Sequence, residues 1–158
     1  MLGLQPNESL EGADPYGLFR SRAVANPEGV LRISLNVAPV PGDQGARPQH
    51  VALATDDIAA TARRVRDAGA EPLPVPENYY DDLGARFELS SGALATLREL
   101  DVLYDRDEDG EFWHCCTVTL GRIFFELVQC TGGSRGRFEC SYSAGRQRAA
   151  ERGRSPVR

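Results

Sequence analysis

Three things are missing from this sequence, and each absence excludes something. There is no apolar run approaching 18 residues and no basic stretch leading into an apolar one. Neither a membrane-spanning helix nor a secretion leader is therefore readable, and a cytoplasmic location is expected. No pair of the four cysteines (Cys115, Cys116, Cys130, Cys140) has CxxC spacing. That argues against a zinc ribbon or a disulfide framework and for reduced thiols, some of them in the core. Lysine is absent altogether, so all 18 basic residues are arginine; with abundant Ala, Gly and Pro, this speaks of a GC-rich genome rather than of a mechanism.

What is present is ordinary for a globular chain: 158 residues, 41% hydrophobic and 26% charged, enough for a real core. The net charge of −5 is unevenly spread. Residues 132–158 hold seven Arg against Glu139 and Glu151, a balance of +5, which leaves −10 on residues 1–131 by difference. An acidic body speaks against nucleic acid as the main partner.

The pattern divides the chain into four parts. Residues 1–38 contain two expected strands, 18–25 and 30–37, joined by the turn Asn26-Pro27-Glu28-Gly29. Residues 1–4 look like the last turn of a helix. Residues 39–48, rich in Pro and Gly, read as a linker. Residues 49–133 follow as strand, helix, extended segment, helical insert and further strands. Asp56 or Asp57 is suited to cap a helix over residues 58–68, whose apolar face is Ile58, Ala62 and Val65 and whose stop is Gly69. The prolines of residues 72–76 allow only an edge strand or an arm. Asn78 is expected to cap one short helix, and Ser90 or Ser91 the next. Strands are expected over 102–104, 112–119 and 122–130. Residues 134–158 show neither helical nor strand periodicity and are expected to be disordered.

Two stretches carry the chemistry. Pro48-Gln49-His50-Val51-Ala52-Leu53-Ala54-Thr55-Asp56-Asp57 reads as a short buried strand entering a helix, with His50 on the face opposite Val51 and Leu53. Ile123-Phe124-Phe125-Glu126-Leu127-Val128-Gln129 is a strand with a carboxylate among bulky apolar residues. A buried imidazole and a buried carboxylate are costly unless something partners them. Either they bind a divalent metal in the manner of a two-His, one-carboxylate site, or they are a hydrogen-bonded core histidine and a salt-bridged glutamate. The second histidine, His114, lies in the preceding strand beside Cys115 and Cys116. Those two thiols must face opposite sides of that strand, so at most one of them lines a given site. Asp105-Arg106-Asp107-Glu108-Asp109-Gly110 imitates the start of a calcium loop, but the twelfth place is Cys116 rather than Glu and a strand follows, so a solvated hairpin turn is expected.

Gln49-His50-Val51-Ala52-Leu53-Ala54-Thr55-Asp56-Asp57, Asn78-Tyr79-Tyr80-Asp81-Asp82-Leu83 and Phe124-Phe125-Glu126-Leu127-Val128-Gln129 together resemble the C-terminal half of 4-hydroxyphenylpyruvate dioxygenases. Asp14-Pro15-Tyr16-Gly17-Leu18, Ser21-Arg22-Ala23 and Leu103-Tyr104-Asp105-Arg106-Asp107 are similar to the dioxygenase-like C-terminal domain of bacterial 3-dehydroshikimate dehydratases in particular. The resemblance spans residues 1–133. It implies an α+β, vicinal oxygen chelate (glyoxalase/dioxygenase-like) fold built of βαβββ modules, the first incomplete over 1–38 and the second complete over 49–133 with a helical insert. It implies that His50 and Glu126 are metal ligands for Fe(II), Mn(II) or Mg(II), that Ser21 and Asn36 line the substrate pocket, and that His114 serves as hydrogen-bond donor or acid/base. The substrate would be a small oxygenated cyclic or aromatic acid.

Two positions depart from the dioxygenase pattern: His114 stands where it has glutamine, and Cys116 where it has an aromatic that packs on the substrate ring. The tyrosine-derived keto acid is thereby disfavoured against the dehydratase-type relative. The resemblance also places the first metal histidine on a strand upstream of residue 1, so a fragment is expected. The Arg-rich end, where the family has a Tyr/Gly-rich segment and a closing helix, matches a shifted reading frame. The resulting expectation is a metal-dependent domain of aromatic-compound catabolism that lacks one ligand and is inactive by itself. A non-catalytic accessory module is the alternative, working with an upstream barrel domain or a second copy of the chain. The dioxygenase proper is a further one.

Overall fold

The computed structural model describes residues 3–14, 17–37, 50–121 and 123–132. The expected linker at 39–48 and the Arg-rich residues 134–158 lie outside the described residues. The chain forms two compact units, Met1–Ala46 and Arg47–Arg158.

The first unit is a three-stranded antiparallel sheet in the order β1 (Gln5–Asp14), β2 (Gly17–Ala25), β3 (Arg32–Val37). Strands β2 and β3 form the expected hairpin. Its turn is closed by Asn26, whose backbone NH donates to the Leu31 carbonyl and whose side-chain oxygen accepts from the Leu31 NH, both at 2.9 Å. Gly29 takes the left-handed conformation the turn needs, φ +72. Strand β1 is a departure from expectation. Its sequence, Gln-Pro-Asn-Glu-Ser-Leu-Glu-Gly-Ala-Asp, lacks apolar alternation, and it is a strand because β2 offers it a ladder, with a bulge between Pro6 and Glu8. Where a helix tail was expected, Gly3 has φ +63 and Leu4 leads straight into this strand.

The second unit holds a four-stranded sheet in the order β4 (His50–Ala54), β7 (Phe124–Gly132), β6 (Gly110–Cys116), β5 (Leu103–Arg106). Strand β4 runs parallel to β7, and the other pairs are antiparallel. Between β4 and β5 come α1 (Ile58–Asp67), α2 (Glu77–Arg86) and α3 (Ser91–Glu99). The helices cover one face of the sheet. Ile58, Ala62, Tyr80, Leu83, Leu97 and Leu100 close over Tyr104, Cys115 and Leu127 in one buried cluster. Among the described residues no helix is long and apolar enough to cross a membrane.

Local chemistry explains the element ends. Asp57 caps α1 by accepting from the Ala60 NH at 2.9 Å, and Ser90 caps α3 through the Ala93 NH. Asn78 is not a cap: α2 begins at Glu77, directly after Pro76, whose fixed φ of −59 pre-sets the helix start without a side-chain bond. Residues 72–76 form an arm rather than a ladder strand, since their prolines remove donors. They touch the sheet through a Pro72–Thr117 bridge and the Leu73 NH bonded to the Cys116 carbonyl. The Asp105–Gly110 stretch is the hairpin turn between β5 and β6, with Asp107 accepting from the backbone NH groups of Asp109 and Gly110.

Strand β4 corrects the expectation of a buried strand. Val51 is 42% and Leu53 50% exposed, because β4 is an edge of the sheet and α1 lies over β7 and β6 instead.

Candidate metal centre

Everything at the site follows from the register of three strands. Position 50 of β4 pairs with Phe124 and position 52 with Glu126. On the other side of β7, Cys116 pairs with Glu126 and His114 with Val128. Side chains alternate along a strand, so His50, Ala52, Glu126, Cys116 and His114 all share the face away from the helices. Glu126 is the centre of that face. Ala52 and Cys116 stand opposite it on the two neighbouring strands, while His50 and His114 occupy opposite diagonal corners. The small Ala52 leaves the room through which His50 reaches the carboxylate. The register is held by local bonds: the Thr55 NH donates to the Val128 carbonyl at 2.8 Å, and the Ile58 NH donates to the Gln129 side chain at 2.8 Å, tying the start of α1 to β7.

Each carboxylate oxygen of Glu126 meets one imidazole. His50 Nε2 lies 3.3 Å from Oε2, and His114 Nδ1 lies 2.7 Å from Oε1. The second contact has the length of a charge-assisted hydrogen bond. Glu126 is 2% exposed and His114 wholly buried, whereas the His50 side chain retains 19% exposure. The His50 ring is stacked on Phe124 at 5.0 Å between centroids, and its Nδ1 is buried with no hydrogen-bond partner among the described residues. Stacking and the carboxylate therefore orient this ring. Phe124, Leu73 and Cys116 form a small apolar cluster at the same face, which keeps the carboxylate in low-dielectric surroundings.

Cys116, His114 and Glu126 form a buried group whose ligand-type atoms all lie within 4.8 Å of one another. Cys116 shares a strand face with His114 two residues before it, and the β6–β7 register sets both beside Glu126. Cys115 is on the helix side, paired with Leu127, and burial pushes its thiol from 9.0 up to about 12. It is a protonated core residue and takes no part in the site.

Ser21 and Asn36 pair with each other across β2 and β3 in the first unit. They belong to a different compact unit from His50, His114 and Glu126.

With this geometry in view, comparison with known proteins is informative. The model of the Glyoxalase/Bleomycin resistance protein/Dioxygenase superfamily matches residues 1–114. A 3-dehydroshikimate dehydratase of Pseudomonas putida is 39% identical over 134 residues, covering 78% of this chain and 21% of that protein. A 4-hydroxyphenylpyruvate dioxygenase of Pseudomonas aeruginosa is 38% identical over 128 residues, covering 73% of this chain and 36% of that protein. Among solved structures, a xylose isomerase-like TIM barrel/4-hydroxyphenylpyruvate dioxygenase fusion protein superposes with a TM-score of 0.73 at 33% identity, over 94% of this chain and 25% of the other. The chain thus spans between a fifth and about a third of the length of these curated relatives. Its fold is of the vicinal oxygen chelate type, mixed α+β, as the sequence resemblance implied.

Proposed function

This chain belongs to the Glyoxalase/Bleomycin resistance protein/Dioxygenase superfamily, and on that ground we propose that it is the metal-binding part of a vicinal oxygen chelate domain acting in the catabolism of oxygenated cyclic or aromatic acids. The observation that carries this reading is Glu126, a carboxylate 2% exposed with an imidazole nitrogen of His50 3.3 Å from one of its oxygens. Neighbouring ligands at about 2.1 Å from one ion stand roughly 3 Å apart, so the pair is spaced as two ligands of a divalent cation. Nitrogen and oxygen donors suit Fe(II) or Mn(II), and a carboxylate suits Mg(II). When bound, the cation would act as a Lewis acid toward vicinal oxygens of the substrate, or would support oxygen chemistry if it is iron.

The chain's own residues do the rest. Phe124 holds the His50 ring by stacking. His114, through its short contact with Oε1, fixes the rotation of the carboxylate and can hold a proton at Nδ1. Leu73 and Phe124 exclude water from the floor of the site. The relatives suggest 3-dehydroshikimate as the first compound to try and 4-hydroxyphenylpyruvate as the second.

Calorimetric titration of the complete chain with Fe(II) (anaerobically), Mn(II) and Mg(II) tests the ligand assignment. One equivalent should bind, and His50→Ala and Glu126→Ala should each weaken it at least about tenfold, a loss on the scale of removing one coordinating group. Undiminished binding in both variants would remove His50 and Glu126 from the site. Loss of 3-dehydroshikimate, or oxygen uptake with 4-hydroxyphenylpyruvate, distinguishes the two substrate assignments.

A second reading, an accessory or assembly module, is favoured by the β4 edge. Val51, Leu53 and Phe125 expose apolar surface beside a row of backbone groups with no neighbouring strand among the described residues. Light scattering decides it: concentration-dependent dimers abolished by Leu53→Lys support assembly, and a monomer at all concentrations excludes self-assembly.

A further inference from the structure

Glu126 has two sides, and His50 meets only one of them. The other side carries His114 on Oε1 at 2.7 Å and Cys116 directly across the ladder. All three residues are buried, at 0%, 8% and 2% exposure for His114, Cys116 and Glu126. A nitrogen, a sulfur and an oxygen donor within 4.8 Å of one another are close to the arrangement around one tetrahedral cation, where nitrogen and sulfur donors stand about 3.5 Å apart.

We propose that His114, Cys116 and Glu126 form a second coordination set, with N, S and O donors, which takes a thiophilic divalent cation of the zinc type and competes with the His50 side for the same carboxylate. This rests on the reading of Glu126 as a metal ligand. The two sets differ in chemical preference. His50 with Glu126 offers only nitrogen and oxygen, while the second set adds a thiolate, which selects Zn(II) or Co(II) and discriminates against Mg(II). The sets also differ in access: His50 keeps contact with solvent, whereas His114, Cys116 and Glu126 are buried. One carboxylate serves both, His50 facing Oε2 and His114 facing Oε1, so a cation in the second set would weaken the His50 side by drawing on the same negative charge.

Co(II) is the probe, added to the complete untagged chain after chelator treatment and followed by absorption. A thiolate bound to Co(II) gives an intense near-ultraviolet charge-transfer band that nitrogen and oxygen ligands do not. The expected result is that this band appears and saturates at one equivalent. It should persist in His50→Ala, in Cys115→Ser and in Cys130→Ser, and be lost in Cys116→Ser and Cys116→Ala. Zn(II) should bleach it and excess Mg(II) should not. Far-ultraviolet circular dichroism shows whether each variant is folded, and two replacements at position 116 guard against one that is not. Co(II) binding without the thiolate band, abolished by His50→Ala, overturns this proposal and leaves the His50–Glu126 reading standing. A band that survives in both Cys116 variants also overturns it. No Co(II) binding at all overturns both readings.

Discussion

The most exacting prediction concerns the cost of separating His114 from Glu126 in the metal-free protein. The contact is 2.7 Å, with the imidazole wholly buried and the carboxylate 2% exposed. In His114→Leu the carboxylate loses the partner of Oε1 and keeps only His50. An ion left without its partner in such a place costs about 3–5 kcal/mol. In Glu126→Leu the His114 imidazole loses its Nδ1 contact, costing about 1–3 kcal/mol. The double variant His114→Leu/Glu126→Leu removes both members of the contact, and His50, which loses its Oε2 partner, reaches water through its 19% exposure. Its net cost should be only about 0–1 kcal/mol, as when a buried ion pair is exchanged for apolar residues of similar volume. The double variant should thus be more stable than His114→Leu, with a coupling of about 3 kcal/mol or more between the positions. Urea unfolding in the presence of chelator measures this. Trp113, the sole tryptophan, lies in β6 and packs against the helix-side cluster, so its fluorescence reports the second unit selectively. Single-variant costs that simply add, within about 0.5 kcal/mol, would refute the claim that the two groups are energetically one unit.

Other consequences follow from the same structure. Burial raises the Cys115 thiol from 9.0 to about 12, so it stays protonated in the folded chain while the unfolded chain ionises it first. Its contribution is complete below pH 9 and is lost as the pH climbs toward 12, so stability should decline across that window and the decline should be smaller in Cys115→Ala. For the same reason iodoacetamide at pH 8 should label the exposed Cys130 long before Cys115, as read by peptide mass spectrometry. Asp101 sits at φ +53 and accepts from the Val75 NH at 2.7 Å while pairing with Arg66 at 2.8 Å. Asp101→Asn, which keeps the first bond and tolerates that backbone, should cost no more than about 1 kcal/mol, and Asp101→Ala, which loses both bonds, about 2–3 kcal/mol by the same urea assay. Gly132 has φ +67, and a Cβ there would run into the Asp109 carbonyl, so Gly132→Ala should cost about 2–3 kcal/mol and loosen the far end of the β6–β7 hairpin in hydrogen exchange.

Much of the second unit is legible in the chain because its signals are local. Asp57 before an apolar period, Gly69 after it, Ser90 three residues before a backbone donor and the acidic turn after Asp105 all act within one turn of themselves. The strands around Glu126 declare themselves by composition. The misses have the opposite character. Strand β1 carries no pattern of its own and exists through its pairing with β2. The exposure of Val51 and Leu53 depends on where α1 comes to rest, which their own residues do not record.

The same division runs through the site. The sequence by itself determined that one imidazole and one carboxylate would lie in apolar strands, and that Cys115 and Cys116 must point to opposite sides, since burial preference and strand alternation are properties of the residues and their immediate neighbours. Only the tertiary structure decided that Ala52 would face Glu126 and let His50 reach it, that His114 would take the other oxygen, and that Cys116 rather than Cys115 would stand across from the carboxylate. Those outcomes depend on the register of β4 and β6 against β7, where a slip of one residue would turn each side chain to the opposite face. Register is settled by the whole sheet closing at once, not by any one strand.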